Sequence, residues 1–189
     1  MATEVISAQA PPRRTKVTLD EFKRLQHDGY KAELVNGEVQ MTPAGLRHER
    51  IGVKLITALE RFLQTQSLGH VYGSSAGYKL PSGDVRSPDV SFVALTRLPG
   101  GQDPDDYAEF PPDLAVEILS PHDRARDLND KLAEYFDFGV RMVWVIDPKR
   151  QTVTVHRSWA DAHTLRADET LDGGGVLPGF ACRVGEIFD

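Results

Sequence analysis

The sequence is poor in cysteine, with Cys182 the single one in 189 residues. That excludes an internal disulfide and, with no Cys-x-x-Cys pair, a thiolate zinc site, so a reducing compartment is expected. With no histidine motif beside it, Cys182 is not read as a catalytic thiol. Long apolar runs are also missing. None exceeds five residues, where a membrane helix needs about 20, and the first residues lack the charged-then-apolar order of a signal segment. A cytoplasmic protein without membrane contact is therefore expected. Nor is positive charge in excess: the formal net charge of −6 argues against a chain that coats nucleic acid indiscriminately, while leaving room for a local basic groove. No helix-turn-helix, zinc finger or glycine-rich phosphate loop occurs, so no sequence-specific reader of DNA is indicated. Internal repeats and low-complexity arrays are absent as well.

Apolar residues make up 40% of the chain, enough to bury one full core. The reading is a single domain over 16–189 behind a polar, proline-bearing tail over 1–15. Thr18 and Glu21 form a capping box ahead of Phe22 and Leu25, predicting a short helix that ends at Asp28-Gly29. Asn36-Gly37 between the alternating segments 30–35 and 38–41 predicts a hairpin. Ile51, Leu55, Leu59, Phe62 and Leu63 recur at helical spacing and predict a long helix over 46–66. Strands are expected over 71–80 and 89–95, followed by an exposed, mobile loop over 99–112. The nearly continuous apolar run over 114–119 reads as a central strand covered on both faces. Leu128, Leu132, Tyr135 and Phe136 predict a second helix closed by Gly139. Strands follow over 142–146, 151–156 and 164–167, then a C-terminal turn with a short helix or strand. One long helix before the acidic strands and one after them define an α/β or α+β class around a mixed sheet.

Two of those strands carry acid among apolar residues: Asp89 in Ser87-Pro88-Asp89-Val90-Ser91-Phe92-Val93, and Glu117 in Asp113-Leu114-Ala115-Val116-Glu117-Ile118-Leu119-Ser120-Pro121. A carboxylate so placed costs on the order of several kcal/mol unless it is paired. A cation is the natural partner. Two hard oxygens, with the Ile118 carbonyl close by, suit Mg²⁺ or Mn²⁺ better than zinc. Residues 28 apart in sequence share no helix face, but neighbouring strands lie about 4.8 Å apart and let both reach one ion. Glu33 is a third candidate because it can point opposite to Leu34 on its strand; its plainer reading is an exposed strand glutamate. His48 shares a helix face with Ile51 and Leu55, which by itself suggests a core histidine. Arg47, Arg50, Lys54 and Arg61 fall within a sector of about 60°, a stripe that either meets a nucleic-acid backbone or is simply solvated. Arg124 and Arg126 follow the second acidic strand and could contact phosphate.

Several blocks occur in a telling order: Lys31-Ala32-Glu33-Leu34-Val35-Asn36-Gly37-Glu38, His48, Ser87-Pro88-Asp89-Val90, Val116-Glu117-Ile118-Leu119-Ser120-Pro121, Lys131, and Gly139-Val140-x-x-Val143-Trp144-Val145-Ile146-Asp147-Pro148. Together they resemble the Uma-two family, restriction-endonuclease-like proteins within the PD-(D/E)XK nuclease superfamily. The resemblance spans roughly 18–188. It implies a central mixed sheet flanked by helices and a metal-dependent phosphodiesterase site. Asp89 and Glu117 would bind Mg²⁺ or Mn²⁺, and Glu33 would complete the shell. The wider superfamily places a lysine two residues after the glutamate, where this chain has Leu119. The family pattern supplies one from the following helix instead, here Lys131, to position the attacking water or stabilise charge on the phosphate. The match also gives His48 a site role, hydrogen-bonding Glu33 or the phosphate.

The implied function is a Mg²⁺-dependent endonuclease that hydrolyses DNA, as a homodimer where both strands are cut. Leu119 and the acidic net charge favour an alternative, a catalytically inactive nuclease-fold protein that binds nucleic acid or a protein partner. Retention of all three acids and Lys131 favours the enzyme. A purely structural dimer with ordinary surface acids is a third reading. Val143-Trp144-Val145 and Trp159 are either core or a self-association surface.

Overall fold

The structure, a computed structural model, describes residues 16–25, 31–41, 44–121 and 123–189. The expected tail over 1–15, Tyr30 and the Asp28-Gly29 helix end lie outside the described residues. Thr18 caps α1 (Leu19–Arg24) through the capping box with Glu21, and the helix stops early because Leu25 turns to extended backbone. The hairpin is β1 (Ala32–Val35) and β2 (Glu38–Met41). Asn36 and Gly37 have φ of 52° and 75°, the left-handed pair that a two-residue hairpin turn requires. There follow α2 (Leu46–Leu63), β3 (Gly69–Gly73), β4 (Tyr78–Lys79), β5 (Val85–Arg86), β6 (Val90–Ala94) and β7 (Leu114–Ile118). Then come α3 (Ala125–Phe138), β8 (Met142–Asp147), β9 (Thr152–His156), β10 (Ala162–Leu165), β11 (Thr170–Asp172) and β12 (Ala181–Arg183). The short helix expected at the C-terminus is a 3₁₀ turn over Val184–Ile187.

The strands form a six-stranded sheet in the order β10-β9-β8-β7-β6-β3, a four-stranded sheet β2-β1-β5-β4 and a two-stranded ribbon β11-β12. Within the large sheet only β7 and β8 run parallel; the sheet is mixed because α3 is the crossover that a parallel pair needs. Its two faces follow from the period-2 alternation of β7. Leu114, Val116 and Ile118 pack with Ile51, Leu55 and Leu59 of α2, while Ala115 packs with Leu132 and Tyr135 of α3. Each α2 side chain buried in this way contributes about 1.5–3 kcal/mol. Trp144 is fully buried and stacks on Phe180 at 5.9 Å, so it belongs to the core; Trp159 is exposed. Among the described residues no helix is long and apolar enough to cross a membrane.

Two expected elements change. The strand expected over 71–80 divides between sheets, β3 in the large and β4 in the small. The break is the turn after Gly73, whose carbonyl accepts from Ala76 N–H at 3.1 Å; the five-residue Gly-Ser-Ser-Ala-Gly stretch lacks side chains to hold a continuous strand. The loop over 99–112 is exposed at its start, but Ala108 is buried and pinned to the small sheet. Ala108 N–H donates to the Gly77 carbonyl at 3.0 Å, and Lys79 N–H donates to the Ala108 carbonyl at 2.9 Å.

Asp113, just before β7, is a buried acid at the opposite end of the strand from Glu117. It accepts from Ala94 N–H at 2.9 Å and from Arg97 Nη2 at 2.9 Å, with Arg141 at 3.4 Å. Burial opposes its ionisation, but Arg97, the Ala94 N–H and Arg141 outweigh burial and hold its carboxyl below the ordinary value. Asp113→Ala is expected to cost about 3 kcal/mol in urea unfolding, because it leaves Arg97 and a backbone N–H unpaired. With the folded pKa depressed, the contribution is complete above the unfolded value of about 3.9 and is lost as pH falls through the folded one. An unfolding midpoint equally acid-sensitive in wild type and variant would refute this.

Candidate active site

The sequence signals converge at one end of β6 and β7. Asp89 N–H bonds the Val116 carbonyl at 2.9 Å, and the Asp89 carboxylate accepts from Ile118 N–H at 2.7 Å. Its side chain therefore lies across the end of β7, next to Glu117. Glu33 arrives from the small sheet: Leu34 points into the apolar cluster with Phe22 and Val85, so alternation turns Glu33 the other way. There it accepts from Ser87 N–H at 2.8 Å and from Arg86 at 3.2 Å. α3 crosses back over the sheet and brings two residues one turn apart to the acids. Lys131 Nζ lies 3.1 Å from both Glu33 and Glu117, and Tyr135 O–H donates to Glu117 at 2.5 Å. All three carboxylates are buried.

Asp89 has its own basic partners. Lys31 Nζ donates to it at 2.8 Å, and His48 Nε2 lies 3.2 Å away. His48 thus joins the site through Asp89, where the family pattern suggested Glu33, and it lines the cleft as well. The open volume in front of these groups is a cleft of about 1120 Å³, which Ile118, Leu119 and Arg124 also line. Of the other basic residues considered, Arg47 donates to the Pro148 carbonyl at 2.5 Å and Arg50 to the Phe188 carbonyl at 3.3 Å. They, Lys54 and Arg61 do not line the cleft; Arg47 is tied to the turn after β8 and Arg50 to the C-terminal segment. Arg126 is exposed on α3 and sits 3.8 Å from Asp130.

The electrostatics divide the acids. Burial works against ionising Glu33, but Lys131, Lys31, Arg86 and the Ser87 N–H overcome it and hold the carboxyl below the ordinary range. For Asp89 burial is likewise outweighed, by His48 and Lys31, and the carboxyl is held well down. Glu117 goes the other way: burial, helped by the charges of Asp89 and Glu33, exceeds the pull of Lys131 and Lys31 and raises its pKa. Burial would strip the proton from Lys131, yet Glu117 and Glu33 keep it charged. Asp89 and Glu117 could hold an ion between them. Among the described residues no group of three or more His, Cys, Asp or Glu side chains is arranged as a metal cage.

The family model Uma2, described as "Putative restriction endonuclease", matches residues 19–185. The chain belongs to this family. The crystal structure of a putative nuclease belonging to DUF820 from Anabaena variabilis ATCC 29413 superposes with a TM-score of 0.80 at 21% identity, covering 91% of this chain and 97% of that one. That likeness supports the restriction-endonuclease-like fold. No curated protein matches the sequence.

In this Uma2 chain, sequence reasoning missed Arg86, Tyr135 and the pairing of Lys31 with Asp89. The one signal at Arg86 is its place beside Ser87-Pro88-Asp89; the strand that buries it, β5, is two residues long and leaves no pattern in the sequence. Its guanidinium bonds Glu33 with Nη1 and Glu134 with Nε, the latter at 2.6 Å, and burial, which opposes its charge, is overcome by Glu134 and Glu33. Arg86→Ala is expected to cost about 3–5 kcal/mol in chemical unfolding, by leaving Glu33 and Glu134 short of a cation. Arg86→Lys should recover little of it, because one ammonium cannot span both acids. A fully stable Arg86→Lys would contradict this.

Proposed function

We propose that the cleft hydrolyses phosphodiester bonds of DNA as a Mg²⁺- or Mn²⁺-dependent endonuclease. The supporting observation is the buried set Glu33, Asp89, Glu117 and Lys131 at an open cleft. Burying four charged groups brings little net stability over apolar residues of the same volume, so a structural purpose alone accounts poorly for them. The donor chemistry fits a hard ion: Mg²⁺ takes one or two carboxylates and keeps its other positions for water or phosphate. Asp89 and Glu117 would hold it, with the Ile118 carbonyl as a further oxygen. Glu33, which the family pattern would add to the shell, stays bound to Arg86, the Ser87 N–H and Lys131. When bound, such an ion lowers the pKa of water and offsets charge on the phosphoryl group. Lys131 fixes Glu33 and Glu117 relative to each other and offers its ammonium to a phosphate oxygen. Lys31 does the same beside Asp89, and Arg124 meets the backbone at the rim. Cutting both strands of a duplex would take two such sites, hence a homodimer.

A second reading, a nuclease-fold protein that binds DNA without cutting it, is favoured by one feature. Leu119 stands where the wider superfamily has lysine, and every site carboxylate already has a cationic partner.

The deciding experiment is cleavage of supercoiled plasmid and single-stranded DNA with Mg²⁺, Mn²⁺ or EDTA, with calorimetry for ion binding. Wild type is expected to cut only with the ion, and Asp89→Ala and Glu117→Ala to lose about 100-fold or more of the activity while still unfolding cooperatively. Ion binding without cutting would support the second reading; neither would overturn both the enzyme and its shared ion.

A further inference from the structure

A second cavity, of about 390 Å³, opens beside the carboxylate cleft, and Ser75 lines both. Its walls are aromatic: Tyr72, Tyr78, Tyr107 and Phe110, with Val93 of β6 behind them. Val93 is four residues from Asp89, about 13 Å of extended strand, within reach of a few nucleotides of one DNA chain at about 3.4 Å each. The walls are built rather than incidental. Tyr78 O–H and Ser91 Oγ are 2.7 Å apart, and burial pushes the Tyr78 hydroxyl up to about 12, so it stays neutral. At Gly77 a Cβ would come within 2.5 Å of the Tyr107 ring, so the missing side chain is what lets that ring lie in place.

The rim carries Asp103, Asp105 and Asp106. Lys23 neutralises Asp106 in an ion pair and lies 5.6 Å from the centre of the Tyr107 ring. Asp103 accepts from Tyr72 O–H at 2.6 Å with one oxygen; among the described residues its other oxygen has no hydrogen-bond partner. An aromatic cavity edged with carboxylates repels phosphate and accepts from amino groups. Its size suits one planar ring system.

We propose that this cavity is a nucleobase pocket, taking one unpaired, amino-bearing base of a strand whose backbone runs through the carboxylate cleft. The inference rests on the nuclease reading for the placement of that backbone, and deepens it: the substrate is single-stranded or locally opened DNA. A stacked base within a duplex cannot enter a concave pocket, whereas an unpaired one stacks on aromatic walls. Asp103 then accepts from the exocyclic amine, as carboxylates do from cytosine, and disfavours thymine, which presents a carbonyl there.

The test is NMR titration of the full chain, without divalent ions, with deoxycytidine, deoxyadenosine and thymidine at concentrations up to tens of millimolar. Expected are shifts confined to the Tyr72, Tyr107 and Phe110 region, with thymidine at least about tenfold weaker. Asp103→Asn, at an exposed position that should fold normally, is expected to erase or reverse that preference, and Tyr107→Ala to weaken all three. Asp89→Ala should leave nucleoside binding unchanged. No shifts at the pocket, or shifts with no base preference that Asp103→Asn leaves intact, would overturn the proposal. Plasmid cleavage by wild type fails or succeeds independently, so loss of the base pocket and loss of the nuclease reading are told apart.

Discussion

Lys131 sets how the two sheets meet. Glu33 belongs to the small sheet and Glu117 to the large one, and the ammonium, supplied by α3, lies 3.1 Å from each. Two carboxylates brought together in a low-dielectric site repel each other strongly, so without this cation the elements could not close to the same distance with both acids ionised. Arg86 does the corresponding work on the far side of Glu33, tying it to Glu134 on the same helix. The cleft is thus held open and shaped by ion pairs rather than by apolar packing, which accounts for both its charge and its volume.

The topology explains why that cation comes from a helix. β7 and β8 are parallel and need a crossover, and the crossover helix passes over the face of β7 that carries Glu117. Residues one turn apart on α3, Lys131 and Tyr135, then reach the same carboxylate from adjacent levels. Leu119 shares that face of the strand by period-2 alternation, and it packs against the α3 cluster with Leu132. A lysine there would compete with Lys131 for the same acids and lose the apolar contact. Leucine on the strand and lysine on the helix are two halves of one arrangement.

How much of this was legible in the sequence depended on range. Local chemistry reads well: the Thr18–Glu21 cap, the Asn36-Gly37 turn, the heptad-like stripe of α2 and the Gly139 cap, whose φ of 102° only glycine adopts easily. Asp89 and Glu117 announced themselves because an acid in an apolar strand is costly. Arg86 and Tyr135 did not, because each reads locally as something else, an arginine at the end of a two-residue strand and an aromatic on the buried face of an amphipathic helix. Their roles depend on partners 53 and 18 residues away, and only the folded chain brings those together. The basic stripe on α2 shows the same limit of range. Its spacing holds, but Arg47 reaches the Pro148 carbonyl after β8 and Arg50 the Phe188 carbonyl near the C-terminus, contacts that helical periodicity cannot reveal.

The two cavities differ in a way that would orient a strand bound as proposed. The large cleft is lined by eight acids against Lys31, Arg86, Arg124 and Lys131, so a phosphate there would rely on those cations and on the proposed divalent ion. Asp103 and Asp105 edge the aromatic cavity, with only Lys23 and its partner Asp106 in balance. A nucleotide is itself divided, anionic along its backbone and neutral, aromatic and amine-bearing at its base. Phosphate placed in the aromatic cavity meets Asp103 and Asp105, and a base placed in the cleft gives up the aromatic walls on which it would stack. The proposed orientation, base in the aromatic cavity and backbone in the cleft, would bring a phosphate to Asp89 and Glu117.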